Sequence, residues 1–452
     1  MLLSGKKKSP KSVFSVRYLI SDIKNYELIF FSTIVGLLAG LAGSVFRMVL
    51  SFIETFSSNF YENAGKTGIT GWLIPIALSV VGIGMAIWLV KKFAPEASGS
   101  GVHEIEGALD EIREMRWKRV IPVKFIGSLF SLGSGLLLGR EGPTIQIGAN
   151  IGKMVKDIFK KVNLESNSLV SAGAAAGLAS AFNAPFSGII FVIEEMYGHF
   201  RYTFFSVAAI MVASGTADFV ARSLVGASPV IKMMVFPNPP LHTIWMFVVL
   251  GALFSLVGLI FNRLLVIVLD FFSNIKKAGL IITALSAGLI IAIIGILNPT
   301  MIGGGYNTIR VVLDNSHGIR ILLILFLGRL LLSVFSYGTG APGGIFAPLI
   351  ALGVVMGMLF GSIMQSFFPD LVTHPGIFAV AGMAGIFAST VRAPLTGVML
   401  AVEMTSNFEL LLPLIFTTLT SSLLTTQLGN QPIYTTLLQR TIEREKQAES
   451  GH

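Results

Sequence analysis

Apolar residues fall in long runs along this chain, separated by short polar or Gly- and Pro-bearing stretches. The runs predict membrane spans at Leu28–Phe52, Gly71–Val90, Val120–Leu138, Thr144–Val155, Leu169–Ile193, Phe204–Val225, Ile244–Val268, Ala278–Leu297, Ile319–Phe335, Ile345–Phe368, Gly376–Ser389, Leu395–Val402 and Leu410–Leu428. A helix needs about 20 residues to cross a hydrocarbon core. Several runs are shorter and are interrupted by Gly and Pro. Helices that stop inside a bilayer are tolerated only where their ends line a cavity or are buried in protein. The pattern therefore predicts an all-α polytopic membrane protein with broken helices. Residues 1–26 form a polar, basic leading segment, with a short amphipathic helix expected over Val13–Ile23. Residues 27–434 make the membrane domain, and 435–452 a polar tail after which no soluble domain is expected.

The spans fall into two halves, about 27–225 and 244–434. Ala172 to Gly188, running on to Glu194, matches Ala381 to Gly397, running on to Glu403, without a gap. Pro185 and Pro394 coincide within that match. Upstream, the spacing Pro143…Gly148 recurs as Pro348…Gly353. Chance resemblance among small-residue helices does not place Pro, Gly and Glu in the same order, so the chain is a duplicated unit. Broken helices at matching positions of two halves point to a transport site. The repeat alone leaves the relative orientation of the halves open.

Composition agrees with the pattern. Of 452 residues 53% are hydrophobic and 13% charged, against about 25% charged in soluble proteins. Mean hydropathy is +0.77. The net charge of +9 needs no nucleic-acid partner. Lys6, Lys7, Lys8, Lys11 and Arg17 precede the first span, and Arg440, Arg444 and Lys446 follow the last. Cytoplasmic ends carry such an excess, so both termini are expected in the cytoplasm. The run Leu28–Leu50 is too long for a cleavable signal. With no Cys and six scattered His, neither a disulfide nor a metal centre is expected. No phosphate-binding G-x-x-x-x-G-K-[ST] loop is present, which excludes an ATP-driven pump.

The chemistry centres on Gly139-Arg140-Glu141-Gly142-Pro143, between two apolar runs. A carboxylate at membrane depth is costly and marks a functional site. Pro143 suits a first helical turn. A helix starting near Glu141 turns free N–H groups and its positive dipole end toward the carboxylate, or toward an anion replacing it. The plain alternative is a Glu paired with Arg140 or Lys124. Three further segments offer neutral donors. The Ser100 hydroxyl lies between Gly99 and Gly101, in a pattern that otherwise serves as a turn or helix cap. Gly343-Gly344-Ile345-Phe346-Ala347-Pro348 has only backbone N–H groups to give, and otherwise reads as a close helix contact. Tyr434 follows the last span, where a Tyr is otherwise an interfacial anchor.

Taken together, G-S-G-V-H at 99–103, G-R-E-G-P at 139–143 and G-G-I-F-A-P at 343–348 resemble the CLC family of chloride channels and chloride/proton antiporters, in its order and spacing. The resemblance extends from about Leu28 to Arg440. It implies two inverted halves, a homodimer with one pore per subunit, and no cofactor. The partners it implies are chloride, protons and the bilayer. By resemblance, chloride is held by the hydroxyls of Ser100 and Tyr434 and the N–H groups of Ile345 and Phe346. Glu141 is the gate and external proton acceptor: it plugs the path when ionised and leaves carrying a proton when neutral. A second acid near the cytoplasm, Glu195, is the internal proton acceptor, its plain alternative being an ion pair with Arg201. Glu194 is the repeat partner of Glu403 and reads as structural.

The acid at 195 favours antiport, about two chlorides per proton by resemblance, over the rival passive, voltage- or pH-gated channel. His103 departs from the family's usual Pro while leaving Ser100 in place. The serine motif and Tyr434 favour chloride over fluoride, and no Pro of the nitrate-preferring type stands at 100. The short tail suggests a prokaryotic inner-membrane protein without a nucleotide-binding domain. Outside the family, Ser100 and His103 would have to form the dyad of an intramembrane serine hydrolase, a geometry that three-residue spacing disfavours. A sodium-coupled symporter of organic solutes fits the small-anion donor set poorly.

Overall fold

The computed structural model describes the backbone of residues 11–64, 68–160, 166–199, 202–275, 279–314 and 317–450. Lys6, Lys7, Lys8 and Arg201 lie outside the described residues. The first half runs α1 (Lys11–Ala64), α2 (Ile69–Phe93), α3 (Val102–Leu109), α4 (Trp117–Gly133), α5 (Glu141–Ile158), α6 (Ser166–Phe182), α7 (Pro185–Glu195) and α8 (Phe204–Val225). The second runs α9 (Ile244–Ser273), α10 (Gly279–Leu297), α11 (Tyr306–Asp314), α12 (Ile319–Gly338), α13 (Phe346–Phe367), α14 (Gly376–Thr390), α15 (Pro394–Thr405), α16 (Leu411–Gln427) and α17 (Ile433–Ser450). Among the described residues the one β-type pairing is an isolated antiparallel bridge between Gly139 and Gly344. Among the described residues eight helices are long and apolar enough to cross a membrane.

The structure redraws several expected spans. Val13–Ile23 is no separate helix but part of α1, because neither Gly nor Pro interrupts the chain before Gly36. Leu169–Ile193 is two helices, not one. The chain breaks at Asn183, whose φ is 53°, and restarts with Pro185 in the first turn of α7. Proline disfavours helical backbone in the residue before it, which sets the break. The same break recurs at Arg392, φ 72°, before Pro394. Val120–Leu138 stops at Gly133, and residues 134–140 run on without helix into the site.

The duplication is visible in the packing. In the first half α5 crosses α6 where Gly148 meets Gly173, and a methyl on either would overlap the other's carbonyl. In the second half α13 crosses α14 where Gly353 meets Gly382, with the same consequence. These are the positions the sequence repeat aligns. Small residues let membrane helices approach to backbone contact.

α7 and α15 then cap one another. Glu194, near the end of α7, accepts hydrogen bonds from Leu395 N (3.0 Å), Thr396 N (2.8 Å) and Thr396 Oγ1 (2.7 Å) at the start of α15. Glu403, near the end of α15, accepts from Phe186 N (3.1 Å) and Ser187 N (2.7 Å) at the start of α7. Each carboxylate meets the positive end of the other helix. Corresponding helices therefore run antiparallel, as inverted halves require. The structural role expected for Glu194 is the one observed.

Large apolar side chains such as Leu256, Ile260, Ile267, Ile281 and Leu289 on α9 and α10 stay exposed. A face of this kind is stable against lipid tails and costly against water.

Candidate functional site

Three loops meet where broken helices begin. Gly139 N donates to Gly344 O and Gly344 N to Gly139 O, both at 2.7 Å, so the lead-ins to α5 and α13 pair about a local two-fold axis. Gly343 N donates to Gly99 O at 2.9 Å, which stitches in the third loop. The side-chain-free positions are required by proximity. A carbon added to Gly142 would lie 2.7 Å from Ser100 Oγ and 2.9 Å from Gly344 Cα. Gly101 has a φ of 82°, and a side chain there would collide with Gln146. Lys124, fully buried on α4, donates Nζ to Ala97 O (3.0 Å) and Gly99 O (2.6 Å). It thus holds the serine loop and does not pair with Glu141.

Glu141 opens α5 and is fully buried. Its Oε1 accepts a 2.6 Å hydrogen bond from the phenol of Tyr306 at the start of α11. Its Oε2 lies against Gly139 and faces the amide of Ala347, near the start of α13. Arg140 turns away and lays its guanidinium on the Tyr306 ring, 4.7 Å from the centroid. The carboxylate thus sits where the dipole ends of two helices converge, in the geometry an anion would use.

On the other side of Gly142 lie the neutral donors. Ser100 N donates to Tyr337 Oη at 3.1 Å. The Ser100 and Tyr434 hydroxyls are buried near one another, yet neither has a well-formed hydrogen bond. Buried hydroxyls are rarely left so, and two of them beside a helix start fit a small anion. Ile345 caps α13 and Phe346 begins it, both buried. The Phe346 ring packs on Phe191 (5.4 Å), Phe387 (4.7 Å) and Tyr434 (6.1 Å), which fixes the helix tip beside the phenol. Pro348, like Pro143, lies in the first turn of its helix.

A cleft opens on each side of this cluster. One of about 310 Å³ is lined by Glu54, Tyr61, Glu62, Tyr306 and Arg310. The other, about 340 Å³, is lined by Ser98, Gly99, His103, Tyr337, Arg440 and Arg444. Leu132 and Gly133 at the end of α4 line the first cleft, and Arg113, just before its start, lines the second, so the clefts lie toward opposite ends of α4. Tyr306 and Glu141 adjoin the first cleft; Gly99 and Ser100 adjoin the second.

Residues 82–426 match the family described as the voltage gated chloride channel. The chain belongs to that family. Two curated CLC-type relatives are H(+)/Cl(-) exchange transporters named ClcA. That of Vibrio cholerae is 43% identical over 443 residues, covering 97% of this chain and 94% of the relative. That of Citrobacter koseri is 40% identical over 435 residues, covering 95% and 92%. Among solved structures, a slow cyanobacterial Cl-/H+ antiporter superposes with a TM-score of 0.89 at 36% identity, covering 93% of this chain and 99% of the other.

Within this CLC-family fold the sequence-derived residues divide in two. Gly99, Ser100, Gly101, Gly139, Arg140, Glu141, Gly142, Pro143, Gly344, Ile345, Phe346, Ala347, Pro348 and Tyr434 gather at the junction of the three loops and the start of α17. Glu195 stands apart, half-buried at the end of α7, where its carboxyl lies beside that of buried Glu106 on α3. The hydrolase geometry is not formed, since Ser100 Oγ and His103 Nδ1 both lack partners. Sequence reasoning missed Tyr306 and Glu106. The Gly303-Gly304-Gly305 run before Tyr306 was the available signal for the first. Glu106 carried none beyond its place in a polar-looking helix.

Proposed function

We propose that this chain exchanges chloride against protons across the inner membrane, with Glu141 as the moving gate. One observation carries the reading. The Glu141 carboxylate lies at the meeting point of the α5 and α13 tips, between one cleft and the buried, unpaired hydroxyls of Ser100 and Tyr434. Ionised, it occupies the anion's path. Protonated, it loses its attraction for the helix ends, swings out with its proton and admits chloride.

Chloride then rests on Ser100, Tyr434 and the N–H groups of Ile345 and Phe346. Neutral donors and helix-end partial charges of about half a unit hold an anion without trapping it. Glu195 with Glu106 passes protons to and from the face that bears α17, and the basic residues of the tail support reading that face as cytoplasmic. The Glu54 and Tyr306 cleft then opens outward, and two copies assemble as a homodimer. The antiport names of the closely related ClcA proteins support exchange over passive conduction.

The test is paired chloride and proton flux in liposomes. Chloride gradients should drive proton movement in the intact protein, and Glu141→Ala should keep chloride flux while losing proton movement. Chloride flux without protons in the intact protein means a channel. Tight coupling in the variant means Glu141 is not the gate.

A further inference from the structure

Tyr306 has no role in the exchange reading, yet it makes the shortest polar contact to the gate. Its phenol donates to Glu141 Oε1 at 2.6 Å, a length typical of a hydrogen bond to an ionised acceptor. The donor is fixed in place. Gly303 N donates to Gly135 O at 2.9 Å. Buried Arg329 on α12 grips the same loop, giving Nη2 to Gly303 O (3.0 Å) and Nη1 to Thr308 Oγ1 (2.8 Å). The Arg140 guanidinium covers the ring face at 4.7 Å. The carboxylate is therefore the partner that moves, and Tyr306 the one that stays. Tyr306 also lines the cleft through which a departing Glu141 must swing.

We propose that Tyr306 is the latch of the gate: its hydroxyl positions the Glu141 carboxylate at the tips of α5 and α13 and favours the ionised, path-blocking form over the protonated, departing form. The inference rests on the gate reading of Glu141. A phenol suits the task because it binds an ionised carboxylate more strongly than a neutral one, and so lets go when the proton arrives. A cation in direct contact would hold the carboxylate through the whole cycle. Charged groups facing the pair are Arg140 on the same loop and Arg47 and Glu54 on α1. α13 brings only the Ala347 amide, and α12 brings Arg329, which is spent on the loop.

Tyr306→Phe keeps the ring and its stacking and removes the hydroxyl alone. In liposomes it should raise chloride efflux at neutral pH severalfold. It should also move the midpoint of the pH–rate profile to higher pH by about one unit, a tenfold gain in proton affinity. The chloride-to-proton ratio should be unchanged. Added to Glu141→Ala, the same change should do nothing, because the latch has nothing left to hold. An unmoved pH profile and rate in Tyr306→Phe overturns the latch while leaving the gate intact, provided Glu141→Ala uncouples. An equal shift in the Glu141→Ala background overturns it too, placing Tyr306 on the pore. Loss of transport in both backgrounds makes the residue structural and ends the proposal. A fully coupled Glu141→Ala overturns the gate reading and the latch with it.

Discussion

The tips of α5 and α13 are the same backbone device carrying opposite side chains. Gly139 pairs with Gly344, and Pro143 and Gly148 correspond to Pro348 and Gly353 at one constant offset. At that offset Glu141 corresponds to Phe346. One tip holds an acid that takes a hydrogen bond from a neighbouring phenol. The other holds a ring wedged among Phe191, Phe387 and Tyr434. Duplication thus supplies two converging helix starts, and on the proposed gate reading divergence makes one of them mobile and titratable and the other rigid. An anion site with two mobile tips would have no fixed wall. With two rigid tips it would have no gate.

Exchanging each residue for alanine is the sharpest way to break this contrast, and it carries the largest effects. Glu141→Ala should abolish proton movement, leave chloride flux and shift thermal stability little. Phe346→Ala should destabilise the protein by about 3–5 kcal/mol, the usual cost of deleting a buried aromatic ring, and lose chloride transport as the tip loosens. Flux assays and thermal melts in detergent measure both. If Phe346→Ala melts like the intact protein, the tip is not held by its ring.

Glu195→Gln should come next, cutting proton flux tenfold or more while chloride continues. The same assays read it, and proportional loss of both ions would refute a separate proton branch.

The helix crossings should respond alike in the two halves. Gly148→Val and Gly353→Val each force a side chain into a facing carbonyl. Overpacking of this kind costs about 1–3 kcal/mol, and equal falls in melting temperature are expected. A harmless variant in one half only would show that the halves no longer share the contact.

The hydrophobic runs placed most spans because lipid enforces apolar length, and small-residue spacing placed the repeat because close crossings tolerate little else. The loops that meet at Glu141 were legible for a similar reason: Gly at 139, 142 and 344 is dictated by close approach, and Pro143 by its place in the first turn of α5. The break at Asn183–Pro185 was missed because apolar residues flank it on both sides, and hydropathy does not register a change of direction. α3, α11 and α17 were missed because each is short or polar and owes its place to tertiary contacts. Tyr306 and Glu106 escaped because a pair contact between distant elements leaves no local pattern. Only the fold brings position 306 to position 141.

The smallest expected effects lie in the reciprocal caps, and they test how far the symmetry extends. Glu194 and Glu403 each accept a pair of backbone N–H groups and a hydroxyl from the other half's helix. Gln keeps the shape but replaces one acceptor oxygen with a donor, so one side of each cap is lost, along with the charge that favours a helix start. Carboxylates at helix N-termini contribute about 0.3–1 kcal/mol in partly exposed settings. Glu194→Gln and Glu403→Gln should therefore lower the melting temperature by small and similar amounts and leave the chloride-to-proton ratio alone. The informative failure is an unequal one. Should Glu194→Gln alone depress proton flux, the acid beside Glu195 would belong to the proton branch, and the two halves would differ at the caps as they already do at the tips.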